Sequence, residues 1–227
     1  NDIDILFVPS VHSKEVFENS KYQGQDGKVL TLNKPAHLSH EGFDPKFFNL
    51  EPTEDEFKFA ADFNFLFVGL GINNQIGQER KNLSSLIKWF CEPFKDRKDV
   101  GLVLKTAVVN NSLGDFERTK MLITDLKKSA GAGEFPRVNL VHGRLSDESM
   151  ARLYKHSKVK CFVSLTHGEG FGLPLLEAAA CGLPVMATNW SGHLDFLKHP
   201  DGEKSFIDVD FDLTQVAQSS VWKGVIE

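Results

Sequence analysis

The sequence is poor in the features that announce several large functional classes. It has 3 cysteines in 227 residues, Cys91, Cys161 and Cys181, with no CxxC pair and no histidine at zinc-ligand spacing. That excludes a disulfide framework and a structural zinc module, and the three thiols, in apolar surroundings, read as reduced core residues. No apolar run approaches the ~20 residues that a membrane helix needs. The charged opening Asn1-Asp2-Ile3-Asp4 has no signal-peptide character, so the expected location is cytoplasmic. Positive charge is not in excess: 26 Lys and Arg stand against 31 Asp and Glu, a formal charge of −5. Nothing in that balance calls for nucleic acid, and any anionic ligand needs a local site. Repeats, low-complexity tracts, the GxxxxGK[ST] loop and the GxGxxG fingerprint are all missing.

What is present is alternation, in a chain whose 41% hydrophobic residues suffice for one large domain or one and a half ordinary ones. Residues 4–8 (DILFV) read as a strand, Ser13 as the cap of a weak helix and residues 28–32 (KVLTL) as a second strand, a β–α–β rhythm. Residues 36–48 and the acidic stretch through Pro52 have the composition of a connection, which puts a domain boundary near residues 45–60. Beyond it, residues 63–68 (FNFLFV) form a buried strand that stops at Gly69. Asn82 caps a helix with Leu83, Leu86, Ile87 and Phe90 on one stripe. Strands are expected at 100–109, 138–141, 159–165 and 184–188. The helices between them are 115–129, a short one capped by Ser146, and 173–181 closed by Gly182. Asp208-Val209-Asp210 and Asp210-Phe211-Asp212 read as a solvated edge rather than a metal site. Mostly apolar strands separated by helices imply a parallel sheet covered on both faces, an α/β, Rossmann-like doubly wound fold. Ligands bind such a sheet beyond the carboxyl ends of its strands, here after Val68, Val141, Leu165 and Thr188.

The third of those loops is unusual. Residues 166–174 (THGEGFGLP) place three glycines in five positions ahead of a helix with proline in its first turn. Proline there costs no hydrogen bond, and the free amides and positive dipole end of the helix favour an anion such as phosphate. A tight turn that uses glycine only for geometry is the other meaning of the same residues. Glu177 lies one turn into the helix with its side chain leaning toward the N-terminus, where a carboxylate can accept from a vicinal diol such as ribose. Glu169, inside the loop, can accept from the hydroxyls of a second sugar. Taken singly, these are also a dipole-stabilised first-turn glutamate and a solvated loop glutamate. Spaced around GFGLP they form a pattern.

Residues 169–185 (EGFGLPLLEAAACGLPV) resemble the EGFGLP…EAxAxGxPV signature of the retaining, nucleotide-sugar-dependent glycosyltransferases called group 1 (family 4-like). These carry two Rossmann-like domains across a cleft, the GT-B fold. Residues 80–82 (RKN), 145–154 (LSDESMARLY) and 191–196 (SGHLDF) are similar to further segments of that family, and the resemblance covers roughly residues 63–200. Residues 8–10 (VPS) and 40–44 (HEGFD) resemble the end of its N-terminal domain. The resemblance implies residues 1–50 as the end of the N-terminal domain with the interdomain connection. Residues 51–227 would be the nucleotide-sugar-binding C-terminal domain, ending after Trp222 short of its closing helices.

The resemblance also implies transfer of a hexose from a nucleotide-diphosphate sugar to an acceptor with retention of configuration, with no metal and no other cofactor. Glu177 would hold the ribose, Glu169 the donor sugar, and Lys81 with Arg80 the diphosphate. Gly170, Phe171, Gly172, Leu173, Arg144 and Leu145 would complete the donor site. One departure stands out: many relatives carry an arginine directly after the strand-end glycine, where this chain has Leu70. Either Arg80 substitutes for it or the diphosphate is held more weakly. The acceptor, a glycan, lipid or protein, would belong to a missing N-terminal domain of on the order of 150 residues, which could also seat the protein peripherally at a membrane. The fragment is expected to bind donor without turnover. A non-catalytic nucleotide-sugar-binding module and a GT-B-fold epimerase are the alternatives, and no pyridoxal-lysine context supports a phosphorylase. His142, His167 and His193 read as structural hydrogen-bonders rather than bases, and the 19 phenylalanines mostly as core.

Overall fold

The computed structural model describes residues 3–23, 26–73, 75–131 and 133–215, and the stretch around Trp222 lies outside them. In chain order the elements are β1 (Leu6–Val8), α1 (Val11–Asn19), β2 (Lys21–Gln23), β3 (Val29–Thr31), β4 (Ala36–Leu38), β5 (Phe63–Val68), α2 (Leu83–Cys91), β6 (Val100–Lys105), α3 (Leu113–Ser129), β7 (Arg137–Val141), α4 (Asp147–Tyr154), β8 (Val159–Ser164), α5 (Leu173–Ala180), β9 (Val185–Thr188), α6 (Leu194–Leu197) and β10 (Ile207–Val209). Strands β5 to β10 form one six-stranded parallel sheet in the order β10-β9-β8-β5-β6-β7. The chain winds outward from β5 through β6 to β7, then returns to the other side of β5 at β8. That is the expected α/β, Rossmann-like order, with its reversal point between β5 and β8.

Side chains alternate across a strand, so apolar residues at both phases build two cores. Leu66, Val103 and Phe162 face one side, against Leu153 and Tyr154 of α4 and Leu175 and Ala178 of α5. Phe67, Leu102, Leu104 and Val163 face the other, against Leu83, Ile87 and Phe90 of α2 and Ile123 and Leu126 of α3. This is why FNFLFV and VGLVLK carry almost no polar residue. Phe48 and Phe59, from the connecting stretch, are buried in the first of these cores.

Several local expectations are corrected. The β–α–β rhythm of the first forty residues is β1–α1–β4, with Leu6 opposite Ala36 in a parallel pair. Residues 28–32 instead supply β3, which pairs antiparallel with β2 in a hairpin whose Val29, Leu30 and Thr31 are exposed. Residues 36–38, expected inside a connection, are a strand because Ala36 is buried against its neighbour. The cap of α1 is Ser10 rather than Ser13: Ser10 is extended, and its Oγ accepts from the Ser13 amide at 3.0 Å. The strand expected over 100–109 stops at Lys105, because the Asp115 carboxylate takes over the amides of Val108 and Val109 (3.2 and 3.0 Å). Asn82 holds the cap position of α2 in a left-handed conformation without a side-chain bond, and the buried Glu79 carboxylate receives the amide and hydroxyl of Ser84 instead. Asp208 and Val209 belong to β10, a sixth strand at the edge of the sheet with Asp208 exposed, so the solvated edge read from sequence is itself a strand.

Candidate functional site

The crevice outside the carboxyl ends of β5 and β8 is where this topology places a ligand. Two loops meet there, and Arg80 staples them. Its carbonyl accepts from the amide of His167 at 2.8 Å and from the hydroxyl of Thr166 at 3.1 Å. Its guanidinium Nη1 donates to the carbonyl of Gly168 at 2.8 Å and to Glu169 Oε2 at 2.9 Å. Lys81 Nζ donates to Glu169 Oε1 at 2.6 Å. The Glu169 carboxylate is thus shared between two cations. Burial alone would raise its pKa, but the charges and hydrogen bonds of Lys81 and Arg80 outweigh burial and hold it below the usual carboxylate value. The lysine is sunk into the site, its side chain 14% exposed, whereas that of Arg80 is 60% exposed.

The glycine-rich bend that carries Glu169 is supported from behind. Gly172 adopts φ +102°, open to glycine at no steric cost, and begins α5 ahead of Pro174. A Cβ at Gly192 would stand 2.2 Å from the carbonyl oxygen of Gly170, so the loop after β9 lies flat against the bend. Ser191 Oγ accepts from the amide of Glu169 at 2.9 Å, and Ser13 Oγ, from α1, donates to the carbonyl of Gly170 at 3.2 Å. A second tie from the front segment runs through Asp195, whose Oδ2 accepts from the Val11 amide at 2.8 Å and stands 3.3 Å from His40 Nε2. Phe171 is buried between the rings of His40 and Phe196, which leaves only its backbone to face a ligand.

Beside Arg80 and Lys81 opens a hollow of about 670 Å³. Its wall carries four cations, Arg80, Lys81, Lys105 and Arg144, and no carboxylate. Leu70, Leu145, Met150 and Pro174 supply its apolar part. Of the residues singled out from sequence, Arg80, Lys81, Arg144 and Leu145 meet on this wall. Glu169 lies behind the two cations it binds, and residues 170–173 form the bend itself. Glu177 is held elsewhere: its Oε2 accepts from the Tyr154 hydroxyl at 2.8 Å. Burial raises the Glu177 pKa more than the tyrosine bond lowers it. Sequence reasoning missed Lys105, Met150 and Tyr154. Lys105 alone gave a signal, an ionisable residue inside the largely apolar run 100–109.

The remaining reactive side chains are engaged in packing. His142 Nε2 donates to Asp115 at 2.9 Å, and the buried His193 donates from Nε2 to the carbonyl of Thr188 at 2.8 Å. Burial pushes the thiols of Cys91, Cys161 and Cys181 each up to about 11, so none is a thiolate at neutral pH. Among the described residues no group of three His, Cys, Asp or Glu could hold a metal ion. No helix among them is long and apolar enough to cross a membrane.

The chain is similar to known proteins in sequence and in fold. Potato (Solanum tuberosum) sucrose synthase is 28% identical over 122 residues, 52% of this chain and 15% of that enzyme. Sucrose-phosphate synthase from Thermosynechococcus elongatus superposes with a TM-score of 0.56 at 21% identity, over 88% of this chain and 44% of its own. Anabaena HepE, solved with UDP and glucose, gives a TM-score of 0.54 at 19% identity, over 86% of this chain and 47% of its own. The two superpositions show the GT-B type of fold, and the chain spans less than half the length of these relatives. The model for "Glycosyl transferases group 1" matches residues 72–212, from the loop after β5 through β10. With that match covering more than half of its length, the chain belongs to the group 1 glycosyl transferases.

Proposed function

We propose that the chain is the donor-binding half of a retaining glycosyltransferase that takes its sugar from a nucleotide-diphosphate sugar. The observation that carries this is the cationic wall at the sheet's reversal point, with Glu169 set behind Arg80 and Lys81 and the glycine-rich bend alongside. Cleaving the bond between the anomeric carbon and the phosphate oxygen leaves negative charge on the departing diphosphate. Arg80 and Lys81 stabilise that charge without a metal or other cofactor, and losing one such group costs about 3–4 kcal/mol of barrier. The exposed Arg80 is free to swing from Glu169 to a phosphate oxygen, and it lines the same hollow as Leu70. It therefore supplies the cation that many relatives carry after the strand-end glycine. Glu169, once Arg80 has moved, accepts from hydroxyls of the donor sugar. Tyr154 fixes one oxygen of Glu177 and leaves the other for the ribose hydroxyls. Arg144 and Leu145 face the nucleobase, mainly through their backbone.

The acceptor site falls to a second, N-terminal domain, of which residues 1–50 are the end. Ile5, Phe7 and Phe17, at 50%, 67% and 47% exposure, are the apolar surface onto which that domain would build. The whole enzyme would work in the cytoplasm or peripherally at a membrane through that domain.

The test is a calorimetric titration of the 227-residue chain with UDP, GDP, ADP and dTDP. At least one is expected to bind, without turnover of its sugar nucleotide, and the absence of heat with all four at millimolar ligand would sink the proposal. Glu177→Ala is expected to weaken nucleoside diphosphates, and Glu169→Ala mainly the intact sugar nucleotide. Equal effects of both on both ligands would refute that division of roles. Sugar transfer by this chain alone would overturn the placing of the acceptor site in another domain.

A further inference from the structure

The fourth cation of the hollow has no part in the scheme above. Lys105 closes β6, one strand further from β8 than the Arg80–Lys81 pair, whose loop leaves β5. Adjacent strands are ~4.8 Å apart, so the wall has a direction. The Glu169 bend lies at the β8 end, the Arg80–Lys81 loop follows β5, and the turn after β7 lies at the far end. Lys105 sits between the last two, half-buried, and its Nζ donates to the carbonyl of Gly143 in that turn. Gly143 adopts φ +93°, a conformation that side-chain-bearing residues rarely take. Its other flank is anchored as well: His142 binds Asp115, which is itself fixed by the amides of Val108 and Val109. Arg144 and Leu145, the next residues, form part of the wall.

From this geometry, and resting on the donor-site proposal, we infer that Lys105 is a positioning residue for nucleobase selection. By holding the Gly143 carbonyl it sets the edge that residues 143–145 present to the base, and it is not a phosphate ligand. Recognition through backbone groups depends on where those groups stand, so a displaced turn loses discrimination between bases before it loses binding. Arginine at 105 keeps a cationic donor within reach of the carbonyl, whereas methionine keeps the stem and loses the donor.

The experiment compares wild type, Lys105→Met and Lys105→Arg by calorimetric titration with UDP, GDP, ADP, dTDP and inorganic pyrophosphate. In K105M the affinity ratio between the best and poorest nucleotide is expected to fall about tenfold, the loss of one charged hydrogen bond, while pyrophosphate stays within about twofold of wild type. K105R is expected to restore most of the ratio, which a merely structural role for the lysine stem would not require. If K105M melts too early to titrate, Lys105→Leu, which also lacks a donor, is read by the same ratio. Pyrophosphate weakening in step with the nucleotides makes Lys105 a phosphate ligand and overturns the inference, as does an unchanged ratio or a wild type that binds all four nucleotides alike. A wild type that binds neither nucleotide nor pyrophosphate fails the donor-site proposal itself. One that binds and discriminates, with the ratio intact in K105M, fails this inference alone.

Discussion

A carboxylate buried beside two cations behaves unlike one buried with a neutral partner, and Glu169 and Glu177 embody that contrast within one motif. Glu169 is held below its ordinary pKa of 4.5, with Lys81 and Arg80 overriding burial. Its contribution to stability is therefore present above about pH 4.5 and lost as pH falls through the lower folded value. Glu169→Gln, which strands a sunken lysine, is expected to cost about 3 kcal/mol at neutral pH. That is the low end for breaking a buried pair, because the exposed Arg80 regains water. In urea unfolding from pH ~7 down to ~3.5, the gap between wild type and E169Q should close in acid. Glu177 has the opposite sign: burial raises its pKa above 4.5. Its stabilising effect is complete below about pH 4.5 and lost as pH rises through the folded value, so Glu177→Gln should be the more stable protein at neutral pH and equal to wild type in acid. If the donor site is as proposed, the same variant should bind nucleoside diphosphates worse, a stability gained where function is lost. Both glutamates were legible as a pair from their spacing around GFGLP. Tyr154 was not, because in sequence it reads only as part of an apolar helical stripe.

Between elements, the close approach of two loops matters more than any helix. Gly192 has no room for a side chain because the Gly170 carbonyl occupies that space, and backbone cannot step aside as a side-chain tip can. Gly192→Ala is expected to cost about 1–3 kcal/mol in chemical unfolding and, if the donor site is as proposed, to weaken donor binding by displacing the bend. Unaltered binding would show that the bend does not shape the site. Such a constraint was invisible beforehand, since nothing in residues 191–196 says which backbone fills the space a Cβ at Gly192 would take. The strands of the main sheet were legible for the reverse reason: FNFLFV and VGLVLK are apolar on both phases, and only a doubly covered strand needs that. The three-residue strands β4 and β10 escaped notice because so short a run carries no periodicity. The overrun at 100–109 has a specific cause, in that Val108 and Val109 look like strand but give their amides to the Asp115 side chain.

For the molecule as a whole, a ligand that binds only the folded state must raise the melting temperature. Under the donor-site proposal, a nucleoside diphosphate at about a hundred times its Kd adds ~2.7 kcal/mol, roughly 5–10 °C for a domain of about 200 residues. Thermal melts of wild type and E177A with and without nucleotide check this, and a shift that survives in E177A would remove the ribose role from Glu177. The doubly wound, parallel character of the sheet was legible from the alternation of strands and helices, whereas the strand order and its reversal point emerged only from the pairing. The packing of the front segment on the bend was not, because it rests on single polar contacts between residues more than 150 positions apart.

Those contacts bear on how the two ends of the chain work together. Ser13 grips the Gly170 carbonyl, and Asp195 grips both the start of α1 and His40. Any rotation of β1 and α1 against the sheet therefore pulls on the Gly170 carbonyl, one residue from Glu169. Under the donor-site proposal, the place where Glu169 meets a sugar follows the tilt of the front segment, since both depend on the same few atoms.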